Sequence, residues 1–301
     1  MIGVLLMSYG TPATAADVEA YYTHIRRGNE PSPQQLADLH RRYDAIGGTS
    51  PLAARTADQA AGVQAALDAS HPGRFRVFLG TKHAPPFIEE TVKAMAGEGV
   101  TEAVAAVLAP HYSALSVGEY LERARVAADE VGITVHEVRS WHLEPALVGL
   151  LADRLGRALQ RVGRPPGATE VLVTAHSLPS RIVAAGDPYP AQLEETARAV
   201  TEAAGVTRWR TAWQSAGRTP EEWLGPDVTE AIEEAAAESA EAVVVCPAGF
   251  TSDHLEVLYD LDIEARAVAH AKGLVFARTD SLNDDPAFCA MLAEVVARAV
   301  P

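Results

Sequence analysis

The chain of 301 residues predicts an α/β protein built from two doubly wound domains, each with a parallel four-stranded sheet, related by a pseudo-repeat. Three observations predict it. Short runs of β-branched and aliphatic residues alternate with stretches of helical period, the pattern of strands covered by helices on both faces. The length exceeds one typical core and suits two. The halves also resemble each other. Val4–Pro12 (VLLMSYGTP) and Val171–Pro179 (VLVTAHSLP) are both strand, polar turn and proline. Ala109-Pro110 and Cys246-Pro247 each end a strand, and each proline precedes a glutamate, Glu119 or Glu256, by nine positions.

Residues 2–8 read as the first strand, ended by Gly10-Thr11-Pro12. Thr14–Arg27 is a helix with Thr14 as N-cap and Gly28 as stop, and a second helix runs from Gln34 to about Tyr43 before the Gly47-Gly48 break. Helix Arg55–Ala69, strand Arg76–Leu79, helix Pro86–Gly97, strand Ala103–Leu108, helix Tyr120–Val131 and strand Thr134–Val138 follow. Pro145–Val162 is a long helix closing the first half, and Gly163–Gly167 is the clearest linker. The second half repeats the scheme: strand Val171–Thr174, helix Tyr189–Ala204, strand Arg210–Trp213, helix Asp227–Ser239 and strand Ala242–Cys246. An acidic helix, a strand near Leu274–Ala277 and a final helix Pro286–Ala299 complete it. Landmark prolines lie 98 residues apart in the first half and 68 in the second, so a helical insertion around residues 14–50 accounts for the difference.

An apolar fraction of 48% and a charged fraction of 22% are ordinary for a water-soluble chain. No apolar run is long enough to span a bilayer, and the first residues read as a strand rather than a leader. Two cysteines, Cys246 and Cys289, exclude a disulfide framework and a four-cysteine cluster held by one chain, and the cytoplasm is the expected compartment. A net charge of −15 argues against nucleic acid and anionic lipid. An anionic substrate would require the few positive charges to be concentrated locally.

The stretch Val243–Glu264 carries the strongest chemical signal. A β-branched run breaks at Cys246–Phe250 and becomes helical, and at about 100° per residue Glu256, Asp260 and Glu264 fall on one stripe. Val257, Leu258 and Leu261 flank it on one side, and Leu255, Tyr259 and Ile263 on the other. Charges between two apolar edges point into a cleft, and their mutual repulsion is offset most simply by a divalent cation bound through oxygen. An acidic surface face is the alternative. Ligands of such sheets bind beyond the carboxyl ends of the strands, where Tyr9, His176, Ser215 and the 247–256 turn all lie. His176 reads as a general base or metal ligand, or else as a hydrogen-bonded core histidine. Tyr9 reads as a ligand contact or a hinge aromatic. Arg26, Arg27 and Arg42 with Ser50 form a basic cluster suited to carboxylates, and Lys82-His83 is a weaker signal. Common nucleotide, zinc-peptidase and esterase motifs are absent from the sequence.

Several ordered motifs resemble the ferrochelatase family over nearly the full length: Tyr9-Gly10-Thr11-Pro12, Tyr21–Gly28, Ile46–Leu52, His176-Ser177-Leu178-Pro179, Gly186-Asp187-Pro188-Tyr189, Trp213-Gln214-Ser215, Trp223-Leu224-Gly225-Pro226 and Asp253-His254-Leu255-Glu256. The resemblance implies two Rossmann-like domains of chelatase type and insertion of ferrous iron, without ATP, into a porphyrin bent between them. It implies a domain over residues 1–137 carrying the insertion, a second over 138–283, and a C-terminal helix at about 284–301 packing back on the first. His176 and Glu256 match the family's catalytic pair and are expected to meet the metal, while Asp260 and Glu264 continue the acidic helix. A regulatory divalent cation at Asp260 and Glu264 is a further expectation.

Tyr9 makes the chain most similar to family members of Gram-positive and actinobacterial type that act on coproporphyrin III. In that group Tyr9, Arg26, Arg27, Arg42, Ser50, Tyr120 and Ser215 match porphyrin-binding positions. The resemblance also implies a monomer with no membrane span, no cofactor beyond the iron substrate, no iron–sulfur cluster, and transient contact with a downstream decarboxylase of iron coproporphyrin. The alternatives are a protoporphyrin IX ferrochelatase, a sirohydrochlorin cobaltochelatase, and a tetrapyrrole carrier without catalysis. A two-domain glycosyltransferase would share the architecture but should bind a sugar nucleotide.

Overall fold

A computed structural model of the chain describes residues 1–217 and 219–300, so Pro301, the end of the expected final helix range, lies outside the described residues. The strands are β1 (Ile2–Ser8), β2 (Phe75–Thr81), β3 (Glu102–Val107), β4 (Thr134–Val138), β5 (Thr169–His176), β6 (Trp209–Gln214), β7 (Ala242–Cys246) and β8 (Val275–Arg278). The first-half helices are α1 (Val18–Ile25), α2 (Pro33–Ala45), α3 (Leu52–Ser70), α4 (Ile88–Gly97), α5 (Val117–Val131) and α6 (Pro145–Val162). Then come α7 (Arg181–Ala184), α8 (Tyr189–Ala203), α9 (Val228–Ala237), a π-helix over Val257–Ala265, α10 (Arg266–Ala271) and α11 (Pro286–Arg298).

Two parallel four-stranded sheets form, ordered β2-β1-β3-β4 and β6-β5-β7-β8. The orders correspond strand for strand, so the pseudo-repeat read from the sequence is a repeat of topology. Central strands explain the long apolar runs. Val4 through Met7 on β1 and Val171 through Val173 on β5 are at most 1% exposed, because helices cover both faces.

The long helix that the element pattern alone attaches to the first half, though the 138–283 range puts it in the second, packs with the second. α6 packs against β7, β8, α8 and α11, and its Leu147, Leu151 and Leu155 join a core that runs from the second sheet through to β1 and α3 of the first. Gly163, left-handed at φ 63°, caps α6 and turns the chain into β5, so residues 163–167 connect two parts of one unit. Conversely α11, from the end of the chain, packs on α3.

Polar side chains lace the halves together behind the cleft. The Asp187 carboxylate accepts from Ser113 Oγ at 3.0 Å and from the Ala114 amide at 2.8 Å. Gln192 Oε1 accepts from the Tyr112 amide at 2.7 Å, and buried His111 meets Thr196 Oγ1 at 2.9 Å. On the other side the fully buried Gln59 of α3 donates to the carbonyls of Thr251 and Asn283 at 3.2 and 2.9 Å.

Candidate active site

The carboxyl ends of both sheets open on one cleft of about 1920 Å³, larger than the few hundred to about 1,000 Å³ typical of small-ligand pockets. α1 and α2 of the insertion form part of its wall. All the candidate site residues line it: Tyr9, Arg26, Arg27, Arg42, Ser50 and Tyr120 from the first half, and His176, Ser215, Glu256, Asp260 and Glu264 from the second.

His176 is the last residue of β5, one or two positions beyond where the apolar run alone ends the strand. Its Nδ1 contacts the Ser177 carbonyl, and Tyr189 Oη donates to the His176 carbonyl at 3.0 Å, which fixes ring and backbone together. Its Nε2 faces Glu256 Oε1 at 3.6 Å. Glu256 has a second histidine: His254 Nε2 lies 3.5 Å from Oε2, while His254 Nδ1 meets the Ser252 carbonyl at 3.0 Å. Gln214, fully buried, accepts from Thr174 and donates to the Glu256 carbonyl, tying β5, β6 and the acidic turn together. Gln214 and His254 thus belong to the site, although in the sequence they stand out only as members of the Trp213-Gln214-Ser215 and Asp253–Glu256 motifs.

Burial alone would lower the His176 pKa, but the charge and hydrogen bond of Glu256 and the Ser177 carbonyl outweigh it and lift it to about 9. Burial likewise opposes charge on Glu256, yet His176 and His254 hold its carboxyl well below the usual range. The geometry favours charge on both partners, an imidazolium facing a carboxylate. Burial, then Glu256, raises Asp260 to about 7, against the lowering effect of Ser215 and Arg42.

The carboxylate helix is a π-helix from Val257 to Ala265, where the sequence pattern suggests an ordinary winding. Its buried face repeats strictly every four residues: Val257, Leu261, Ala265 and, on α10, Ala269 are each fully buried. The acid row Glu256, Asp260, Glu264 runs beside it along the cleft. The second apolar edge read from the sequence does not exist as such. Ile263 is 38% exposed, and Tyr259 supports the Arg42 guanidinium at 4.9 Å.

The basic cluster is dispersed rather than gathered. Arg42 Nη1 lies 3.4 Å from Asp260 Oδ1, and Ser215, at φ 61°, also donates to Asp260. Arg27, at φ 57°, points its exposed side chain to within 3.8 Å of Glu119. Arg26 lies 5.6 Å over the Tyr22 ring, and Ser50 accepts from the Leu52 amide at 3.3 Å. Tyr9 keeps 40% of its surface open to the cleft and packs on His83, ring centroids 4.6 Å apart. His83 in turn meets His24 Nδ1 to Nδ1 at 3.0 Å, and burial, then Lys82, depress its pKa to about 3. Among the described residues no three His, Cys, Asp or Glu side chains close on a metal-sized point. An ion here needs donors from a bound molecule or water as well.

One glycine makes this geometry possible. A Cβ on Gly249, in the turn before Glu256, would stand 2.5 Å from Ala175 Cβ and 2.8 Å from Ala175 Cα, next to His176. Gly249→Ala should lower the unfolding free energy by about 1–3 kcal/mol in denaturant melts.

The profile of the Ferrochelatase family matches residues 1–300. A relative from Anoxybacillus flavithermus named Coproporphyrin III ferrochelatase is 47% identical over 302 residues, covering 98% of this chain and 95% of the relative. One of the same name from Oceanobacillus iheyensis is 45% identical over 298 residues, covering 98% and 96%. Among solved structures, SirB from Bacillus subtilis with Fe3+ superposes with a TM-score of 0.63 at 13% identity, covering 99% of this chain and 96% of that one. The sirohydrochlorin chelatase SirB from Bacillus subtilis subspecies spizizenii in complex with cobalt gives 0.60 at 13% identity, covering 99% and 95%. At that identity these two speak for the fold.

Proposed function

The chain belongs to the ferrochelatase family, and on that premise we propose that it inserts ferrous iron into coproporphyrin III, giving iron coproporphyrin for haem biosynthesis. The observation that carries the site assignment is Glu256 held between His176 and His254 at the head of the acid row. Relatives of nearly equal length at 43–47% identity named for coproporphyrin III support the substrate over protoporphyrin IX or sirohydrochlorin.

In this reading the porphyrin lies in the cleft and is bent, exposing a pyrrole lone pair to the metal. His176 begins as an imidazolium and is not a base at rest. Iron arriving along Glu264 and Asp260 takes up the Glu256 carboxylate, which removes the charge that raises the His176 pKa. His176 then sheds its Nε2 proton to water and can take the two pyrrole N–H protons in turn, passing each to water, as iron enters. Cation and proton exchange places, and Glu256 is the shared partner.

A regulatory cation at Asp260 and Glu264 would have to displace Arg42 from Asp260. No iron–sulfur cluster belongs to this reading. The chain has two cysteines, both buried, where a cluster held by one chain takes four thiolates. No helix among the described residues is long and apolar enough to cross a membrane. We place the enzyme in the cytoplasm as a monomer that passes its product to a decarboxylase.

The test is anaerobic metalation with ferrous iron and either coproporphyrin III or protoporphyrin IX. Preference for coproporphyrin is expected. Preference for protoporphyrin would discard the substrate assignment, and tight binding without metalation would make the protein a carrier.

A further inference from the structure

The pseudo-repeat pairs Glu256 with Glu119, and the structure brings both to the cleft wall. Their partners are opposite in kind. Glu256 sits between two histidines; Glu119 sits between a lysine ammonium and an arginine guanidinium. Its Oε2 lies 2.5 Å from Lys82 Nζ and its Oε1 3.8 Å from Arg27 Nη2. The Lys82 side chain is only 12% exposed, with its ammonium 5.0 Å from the centre of the Tyr120 ring. An ammonium so nearly buried needs an anion beside it. The Glu119 side chain is 36% exposed, so its carboxylate can leave the pair for water without being stranded.

We infer that Glu119 is a placeholder carboxylate: it fills the Lys82–Arg27 anion site while the cleft is empty and gives way to a carboxylate of the porphyrin. This rests on the coproporphyrin reading above. The exchange trades one carboxylate for another at the same cations, so it lowers the net affinity for carboxylate-bearing substrate and product alike and hastens product release. A porphyrin without carboxylates leaves the internal pair undisturbed.

The test is a fluorescence titration of full-length protein with coproporphyrin III and with its tetramethyl ester. Glu119→Gln should bind coproporphyrin III about three- to tenfold more tightly, with a lower KM, and bind the ester as wild type does. The gain should vanish in a Lys82→Met background, since the competition is for that ammonium. Glu122→Gln, an exposed acid on the same helix paired with Arg125, removes the same charge and should change nothing. Should Glu119→Gln fold poorly, Glu119→Asp, which shortens the reach, should give a smaller gain in the same direction. Unchanged or weaker coproporphyrin binding in a folded Glu119 variant, or an equal gain in Glu122→Gln, overturns the placeholder and leaves the chelatase reading intact. Failure of the wild type to bind coproporphyrin III would instead overturn that reading.

Discussion

Replacing His176 with alanine should lower iron insertion by about two to four orders of magnitude, the usual worth of a positioned general base, while coproporphyrin still binds. Anaerobic stopped-flow metalation measures the first and fluorescence quenching the second. The ring has a fixed Nδ1 partner in Ser177 and presents Nε2 to Glu256, so alanine removes one proton site without emptying a core. The wild-type pH profile is equally specific. His176 in the free enzyme is raised to about 9 and Asp260 to about 7. The apparent second-order rate constant for iron should therefore climb through neutrality and level off only above about 9, because it reports the free enzyme. A profile flat from pH 6 upward would contradict an imidazolium resting state.

Glu256→Gln should cost about a hundredfold or more in insertion, and it carries a spectroscopic signature. With the carboxylate gone, the main influence holding His176 above its ordinary 6.5 disappears, so its imidazole resonances should titrate at lower pH than in the wild type. Stability should respond with a definite sign. His176 is raised from 6.5 to about 9, so its share is fully present below 6.5 and fades as pH rises through 9. Glu256 is depressed from 4.5, so its share is present above 4.5 and fades as pH falls through its folded value. The deficit of the variant in denaturant melts should thus be largest between 4.5 and 6.5 and shrink above 9. A deficit independent of pH would mean the pair is not charged in the native protein.

Strand positions and their common cleft edge were readable because buried parallel strands must be apolar throughout, and few polar residues can follow them. His176, Tyr9 and Ser215 stood out for that reason. Strand pairing fixed which helix covers which sheet, and no local pattern in Pro145–Val162 says that it packs forward onto β7 and β8. The π-winding was not legible, because a spacing of four suits an α-helical face as well, and Ala269 continues it on α10. The partners of Arg42 and Arg27 were out of reach, since Asp260 and Glu119 lie far from them in the sequence. Glu119 was visible as the repeat mate of Glu256, but its opposite chemistry follows from Lys82, whose signal looked weak.

The lacing behind the cleft has a mechanical meaning. Asp187, Gln192 and Thr196 grip the first half along one side, Gln59 grips the Glu256 turn along the other, and α11 doubles back onto α3. On the porphyrin reading proposed above, a jaw fastened at both hinges would bend a planar macrocycle rather than flex around it.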